Sequence, residues 1–233
     1  MLALMASSEN IGHDSSSFSR HHERLAPSSF GQLGFSPTQT LDPREDLFLD
    51  GDEASHLYEV LEGIVCAYRI LPDGGRHIVS FYYPGDVLGY SSTEFYAFSA
   101  QALTPVSVRR IALASLERQM RQRPELAQKL LRMAAVELTA TRDHLVCLAA
   151  KSAEAKTASF LLALSRRNAA VGENPAEIKL PMTRLDIADY LGLTLETVSR
   201  MLSKFKRQGL IELPRATLVR IKDARTLAAL IDG

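Results

Sequence analysis

The sequence predicts an α+β fold with an N-terminal β-roll of the jelly-roll type, a long helix and a C-terminal winged helix-turn-helix. Short apolar segments between turn signals predict the roll, a change to helical periodicity after about 114 predicts the long helix, and a helix–glycine–helix pattern followed by a hairpin predicts the winged part. We divide the chain into an N-terminal arm, the roll, the long helix and the winged domain, at 1–40, 41–113, 114–150 and 151–233.

The composition describes an ordinary globular protein with a basic C-terminal third. Hydrophobic residues make up 46% and charged residues 23%, and the net charge is zero. Residues 151–233 hold 14 Lys and Arg against 9 Asp and Glu, a balance typical of a nucleic-acid-binding module. No apolar run is long enough to span a bilayer and no signal peptide is evident, so we expect a cytoplasmic protein with no membrane partner.

The first 40 residues predict a mobile arm. They are rich in Ser, Gly, Pro and His and show little periodicity, so they cannot build a core of their own. The pair His21-His22 has no third ligand at a suitable spacing, and we expect no metal there.

The next segment predicts the strands of the roll. The apolar segments 57–61, 64–70 and 77–82 are separated by clusters of Gly, Pro and Asp. The run Asp73-Gly74-Gly75 predicts a tight hairpin turn between the last two. Strands at this spacing favour a small barrel or jelly roll.

The long helix carries two apolar stripes. Pro124 suits the first turn of a helix. The first stripe alternates steps of three and four residues, like the seam of a coiled coil, and comprises Leu131, Ala134, Leu138, Thr141, Leu145 and Leu148. The second stripe comprises Leu130, Met133, His144 and Cys147. Two stripes indicate two partners, one inside the chain and one across a homodimer; a single wide core stripe in a monomer is the alternative.

The segment 183–202 predicts a helix-turn-helix, after a helix at about 152–168 and a polar linker at 168–175. Ala188 is the small residue that two crossing helices need, and Gly192 tolerates the positive φ of the turn. Thr183 and Thr194 are placed to cap the two helices. The wing is then predicted as a hairpin of 210–213 and 217–221 with its turn at 214–216, and a last helix as 224–231.

The outward face of the second helix suits the major groove of DNA. Glu196, Ser199 and Arg200 lie on one side of it. Arg200 can donate two hydrogen bonds to guanine O6 and N7, Glu196 can accept one from a cytosine amino group, and Ser199 can contact a thymine methyl or a phosphate. The alternative is an exposed ion pair between Glu196 and Arg200. Phosphate contacts are expected from Thr183, Arg184, Thr194, Thr197, Lys204 and Arg215.

In this order, the parts from about 44 to 233 resemble the CRP/FNR family of bacterial transcription regulators. The run Glu196-Thr197-Val198-Ser199-Arg200 resembles the E-x-x-S-R recognition signature of the FNR type, and the amino-acid sequence of 77–86 resembles that of the FixK branch. The resemblance implies a cyclic-nucleotide-binding-like roll, a homodimer and contact with RNA polymerase. It also implies that Leu195, where cyclic-AMP-type members carry an arginine, takes part in base recognition and favours a TTGA-type half-site.

The roll lacks the residues that effectors of this family would need. The segment 86–108 holds no Arg or Lys for a phosphate, and Tyr90 stands in place of the glutamate of the cyclic-AMP pattern, so we expect no cyclic nucleotide. Residues 1–65 contain no cysteine for an iron–sulfur cluster, and 86–108 contains no His or Cys for haem. We therefore expect no cofactor, although His77 is a conceivable haem ligand.

Three hypotheses follow for the function. The resemblance to the FixK branch implies an effector-independent activator of genes for microoxic respiration, denitrification or nitrogen fixation. A regulator gated by haem or nitric oxide is the second hypothesis, and a cyclic-nucleotide-binding module that controls a partner enzyme is the third. The sequence holds no nucleophile–base set, phosphate-binding glycine loop or metal constellation, so we do not expect an enzyme.

Overall fold

The computed structural model describes residues 37–231. Residues 1–36 of the predicted arm lie outside the described part. The roll begins earlier than predicted, because Thr38–Leu41 already form its first strand. Its eight strands are β1 (Thr38–Leu41), β2 (Asp46–Phe48), β3 (His56–Glu62), β4 (Val65–Ile70), β5 (Arg76–Tyr82), β6 (Val87–Leu88), β7 (Ser99–Ala102) and β8 (Val106–Ala112).

The roll consists of two antiparallel sheets with the strand orders β1-β8-β3-β6 and β2-β7-β4-β5. Both sheets contribute side chains to one apolar core, which includes the fully buried Val60, Val65 and Val108. The predicted turn between β4 and β5 is confirmed: Gly74 has φ +81°, and the Leu71 amide donates to the Gly75 carbonyl at 2.7 Å. The predicted jelly roll is therefore confirmed.

The region predicted as one long helix contains two. Helix α1 spans Leu113–Gln122 and helix α2 spans Pro124–Ala150. Arg123 between them is not helical, with φ −136° and ψ 83°, because a proline disfavours the helical conformation of the residue before it. The predicted start of the longer helix at Pro124 is confirmed.

The two apolar stripes of α2 face different surroundings. The second stripe packs inside the chain, with Met133, His144 and Cys147 buried. Most of the first stripe is left open to solvent: Leu131 is 72% exposed, Leu138 50% and Leu145 64%, whereas Leu148 is half-buried. The two stripes therefore do not form one wide stripe buried in the core of the chain.

The C-terminal part is a winged helix-turn-helix with one more strand than predicted. It comprises α3 (Ala153–Ala170), β9 (Glu177–Lys179), α4 (Arg184–Leu191), α5 (Leu195–Arg207), β10 (Ile211–Arg215), β11 (Leu218–Ile221) and α6 (Ala224–Ala229). Strand β9, absent from the prediction, pairs with β11 and gives the sheet order β10-β11-β9. The predicted wing turn at 214–216 is wrong in position, since β10 continues to Arg215 and the turn lies at 216–217.

The roll and the winged domain share one apolar cluster. Ile78 and Phe81 of β5 belong to the same buried cluster as Ile187 and Leu191 of α4. The Phe81 and Tyr190 rings lie 5.0 Å apart between centroids. Across residues 37–231, none of the helices has the length and apolarity to cross a bilayer.

Candidate DNA interface

Caps and a glycine turn fix the two helices of the motif, as predicted. The Thr183 hydroxyl accepts from the Asp186 amide at 3.1 Å while the Asp186 carboxylate accepts from the Thr183 amide at 2.8 Å, a reciprocal capping box. Gly192 ends α4 in the left-handed conformation, with φ +59°. The Thr194 hydroxyl then accepts from the Thr197 amide at 3.2 Å and starts α5. Helix α5 therefore begins at Leu195.

Helices α4 and α5 each bury one face, and this determines which of their side chains are exposed to solvent. Ile187, Ala188 and Leu191 of α4 and Val198 of α5 are buried, while Leu193 and Met201 are half-buried. A helix that buries one face presents the opposite face to solvent.

That outer face of α5 carries the four predicted base-contacting residues. Leu195 is 41% exposed, Glu196 and Arg200 are exposed, and Ser199 is half-buried. No ion pair of Glu196 or Arg200 occurs within residues 37–231, so the alternative of an ion pair between them is not formed. Their charged groups are available to a molecule outside the chain.

The basic residues predicted to contact phosphate differ in the partners that they have within the chain. Lys204 pairs with Glu154 of α3, with 2.6 Å between Nζ and Oε2. Arg184 donates through Nη2 to the Ala216 carbonyl at 3.1 Å, and burial lowers its pKa. Arg215, at the end of β10, is exposed and unpaired within the described part of the chain.

Two of the threonines predicted to contact phosphate, Thr183 and Thr194, have hydroxyls that already donate hydrogen bonds within the chain. Thr183 donates to the Asp186 carboxylate at 2.7 Å, and Thr194 donates to the Thr197 hydroxyl at 3.1 Å. Thr197 is half-buried in the first turn of α5. All three lie at the helix starts, where backbone amides attract phosphate.

An ionic contact between the two domains was missed by sequence reasoning. Asp186 of α4 is 1% exposed, and its Oδ1 lies 2.9 Å from Arg76 Nη1 and 3.6 Å from Arg44 Nη1 in the roll. Burial by itself raises the pKa of Asp186, but hydrogen bonds from Thr183 and Arg76 lower that pKa below its ordinary value overall. No local pattern joins residues 110 positions apart.

A buried thiol, that of Cys66, lies next to this contact. Arg76 also donates through Nη2 to Cys66 Sγ at 3.1 Å. Burial raises the pKa of Cys66 to about 11. Both cysteines are buried and free, as is typical of cysteines that serve as small apolar core residues.

Known protein families match both halves of the chain. A Crp-like helix-turn-helix domain matches residues 155–230, and a cyclic nucleotide-binding domain matches residues 38–123. The nitrogen fixation regulation protein FixK of Bradyrhizobium diazoefficiens is 41% identical over 184 residues, or 79% of this chain and 78% of that protein. The chain belongs to the CRP/FNR family.

Two further similar proteins support this family assignment. The fumarate and nitrate reduction regulatory protein of Salmonella typhi is 35% identical over 188 residues, or 80% of this chain and 75% of that protein. The structure of FixK2 from Bradyrhizobium japonicum has a TM-score of 0.79 and 36% identity, and the match covers 84% of this chain and 97% of that one. The predicted fold, family and role as a DNA-binding transcription regulator are confirmed.

A buried carboxylate, Glu137, lies where α2 meets the roll. Glu137 of α2 accepts a hydrogen bond from the Tyr82 hydroxyl of β5 at 2.7 Å, and burial raises the pKa of Glu137. Arg109, the first cation after the segment 86–108, is paired with Glu59. The structure thus places an acid, rather than an arginine, where α2 meets the roll.

The part of the chain that the structure describes contains no cluster of metal ligands. No three side chains of His, Cys, Asp or Glu come together there in a way that could hold an ion. The pair His21-His22, where no metal is expected, lies outside this range.

Proposed function

We propose that the chain is a homodimeric activator of transcription that binds palindromes of TTGA-type half-sites without a small-molecule effector. The observation that carries the proposal is the open face of α5, on which Leu195, Glu196, Ser199 and Arg200 lie together. The cytoplasm, where bacterial DNA lies, is its expected place of action.

The chemistry of this face accounts for the proposed sequence preference. An arginine and a glutamate four positions apart can contact a guanine and a cytosine in neighbouring base pairs, because the major groove presents acceptors on guanine and an amino donor on cytosine. Leu195 offers an apolar surface to a thymine methyl and provides no second charged donor. Arg215 on the wing and the starts of α4 and α5 would hold the adjacent phosphates, joined by Lys204 if DNA displaces Glu154.

The uncovered stripe of α2 supports the homodimer. Leu131, Leu138 and Leu145 lie on one exposed face at coiled-coil spacing together with Ala134 and Thr141, and the half-buried Leu148 lies at its end. Packing of two such faces would remove the leucines from water. A two-fold dimer also matches a palindrome with one half-site per recognition helix.

Activity without an effector is supported by the composition of the roll. A phosphate bound where α2 meets β5 would face the Glu137 carboxylate, and the segment 86–108 offers it no Arg or Lys. The target genes are proposed from the relatives: one is named a nitrogen fixation regulation protein and another a fumarate and nitrate reduction regulatory protein. We therefore propose genes of microoxic respiration, denitrification or nitrogen fixation, activated through contact with RNA polymerase.

Fluorescence anisotropy with purified protein and no added ligand tests the proposal. A duplex with a TTGA palindrome should bind with a dissociation constant of about 100 nM or less at moderate salt. A duplex of the same composition with TGTGA half-sites should bind more weakly, and a scrambled duplex should bind least. Affinity in the micromolar range for all three, or binding only after a cyclic nucleotide is added, would contradict the proposal.

A further inference from the structure

A cleft lies between the roll and the winged domain, on the side of the wing. Its volume is about 720 Å³. The roll lines it with residues that include Ile64 and Tyr83, and the winged domain lines it with residues that include Lys179 and Leu218. Pockets for small organic ligands have about this size, in the range of roughly 300–1,000 Å³.

The wing sheet presents a regular row of side chains to this cleft. Leu218 of β11 is paired with Lys179 of β9 on one side and with Arg215 of β10 on the other. Directly paired residues of neighbouring strands point to the same face, and each step across a sheet is about 4.8 Å. The row therefore reads cation, apolar residue, cation, with roughly 10 Å between the two cationic positions.

Lys179 and Arg215 are two exposed cations of the lining. A third cation, Arg167, is attracted to the buried Asp86 carboxylate, and Glu173 is the one carboxylate among the lining residues. The Arg167 guanidinium lies over the Tyr83 ring, 3.8 Å from its centroid, and forms a flat wall. Within residues 37–231, neither Lys179 nor Arg215 has an acidic partner.

We propose that this cleft binds a small organic anion with an apolar body. The anionic group lies against Lys179 and Arg215, and the apolar body packs on Leu218, Ile64 and the Tyr83–Arg167 wall. Carboxylates, sulfonates and phosphate esters share this chemistry. A neutral apolar molecule would gain no charge-assisted contact with Lys179 and Arg215, and a fully hydrophilic anion would leave the apolar walls in contact with water.

The site also connects ligand binding to DNA binding, and this step rests on the proposed function. Arg215 is both a wall of the cleft and an expected phosphate contact of the wing. An anion held by Arg215 competes with the DNA backbone for it, so the ligand lowers the affinity for DNA. By linkage, DNA lowers the affinity for the ligand by the same factor.

Two fluorescent probes of similar body test the chemistry on the full chain. Anilinonaphthalene sulfonate carries an anionic group, and N-phenyl-1-naphthylamine does not. We expect the sulfonate to bind once per chain and at least about 10-fold more tightly than the amine. Equal affinity for the two probes would overturn the anion site.

Matched variants then locate the site. Lys179→Glu should weaken sulfonate binding at least about 10-fold, whereas Lys206→Glu, an equal charge change at an exposed position outside the lining, should leave it unchanged. The chain contains no tryptophan, so Thr217→Trp at the rim provides a single donor for energy transfer to the bound probe. Equal losses in both lysine variants, or no transfer from the introduced tryptophan, would overturn the location.

DNA anisotropy completes the test. Saturating sulfonate should raise the dissociation constant for the TTGA duplex several-fold in the unmodified chain and not in Lys179→Glu. An unchanged constant would overturn the competition. Probe binding is measured without DNA, so it tests the cleft independently of the proposed function. Failure of the cleft proposal would appear as equal binding of the two probes, whereas failure of the proposed function would appear as weak binding of the TTGA duplex.

Discussion

At the scale of single residues, the proposed base contacts all lie at the surface of α5. The caps Thr183 and Thr194 and the turn residue Gly192 set the two helix starts, and the first turn of α5 therefore carries Leu195 and Glu196. Loss of such a threonine cap destabilises a protein by about 1 kcal/mol. The capping role of the threonines is confirmed, while their contact with phosphate stays a prediction.

Arg200→Ala should remove the preference for guanine while leaving weak binding that depends on salt. A bidentate arginine–guanine contact contributes about 1–3 kcal/mol of discrimination, so the ratio of affinities for TTGA and a guanine-substituted site should fall about 5- to 150-fold. Competition anisotropy with the two duplexes measures this ratio.

Lys206→Ala is the matched control, because it removes one positive charge from an exposed position near the end of α5. It should weaken both duplexes equally and leave the ratio unchanged. If the ratio changes as much in Lys206→Ala as in Arg200→Ala, Arg200 does not contact the base.

At the scale of elements, α2 has a second face that the chain does not cover. The buried stripe with Met133 and Cys147 holds α2 to the rest of the protein, and the exposed leucines form a separate surface. A row of exposed leucines on one helix marks an interface when the rest of the helix is already packed.

Leu138→Glu should therefore separate the dimer without unfolding the chain. A carboxylate opposite its symmetry mate in an apolar seam raises the dimer dissociation constant on the order of 100-fold. Sedimentation velocity over a range of concentrations measures this constant.

Thr139→Glu introduces the same carboxylate one position away, on an exposed part of α2 outside both stripes. It should leave the association unchanged. An unmodified chain that remains a monomer at micromolar concentration would contradict the proposed dimer, as would equal effects of the two variants.

At the scale of the whole molecule, the Asp186 contact joins the recognition motif to the roll. Asp186 belongs to the capping box of α4 and also accepts from Arg76, so one carboxylate serves both local and tertiary structure. The rings of Phe81, Tyr190 and His144 pack beside it, with 4.1 Å between the centroids of the last two.

Arg76→Gln should lower the free energy of unfolding by about 2 kcal/mol at pH 7, the contribution of a hydrogen bond to a charged group. Because the folded-state pKa of Asp186 is lowered, this contribution is fully present above the ordinary carboxyl pKa of about 4. It disappears as the pH falls through the folded-state pKa. Urea unfolding at pH 7 and near pH 3 measures the difference.

Arg69→Gln breaks an exposed pair with Asp50, which lies in the turn after β2, and should change the free energy of unfolding by less than about 1 kcal/mol. Equal losses in the two variants, or an Arg76→Gln effect that persists undiminished near pH 3, would show that Asp186 does not depend on Arg76.

The sequence by itself determined the features that depend on neighbours along the chain. Period-two and helical patterns, the glycine turns and the threonine caps identified the roll, α2 and the helix-turn-helix, because each of these signals acts within a few residues. The run 196–200 likewise indicated the face proposed to contact DNA, since helical spacing alone brings its side chains together.

Only the tertiary structure decided which surfaces are covered and which distant groups meet. Strand β9 is three residues long and gains its stability from pairing with β11, so its own sequence indicates little. Lys204 and Arg184 resemble free cations in sequence, yet Glu154 and the Ala216 carbonyl bind them in the folded chain. The contact of Arg76 with Asp186 and the cleft beside Lys179 arise from packing between domains, which no local pattern encodes.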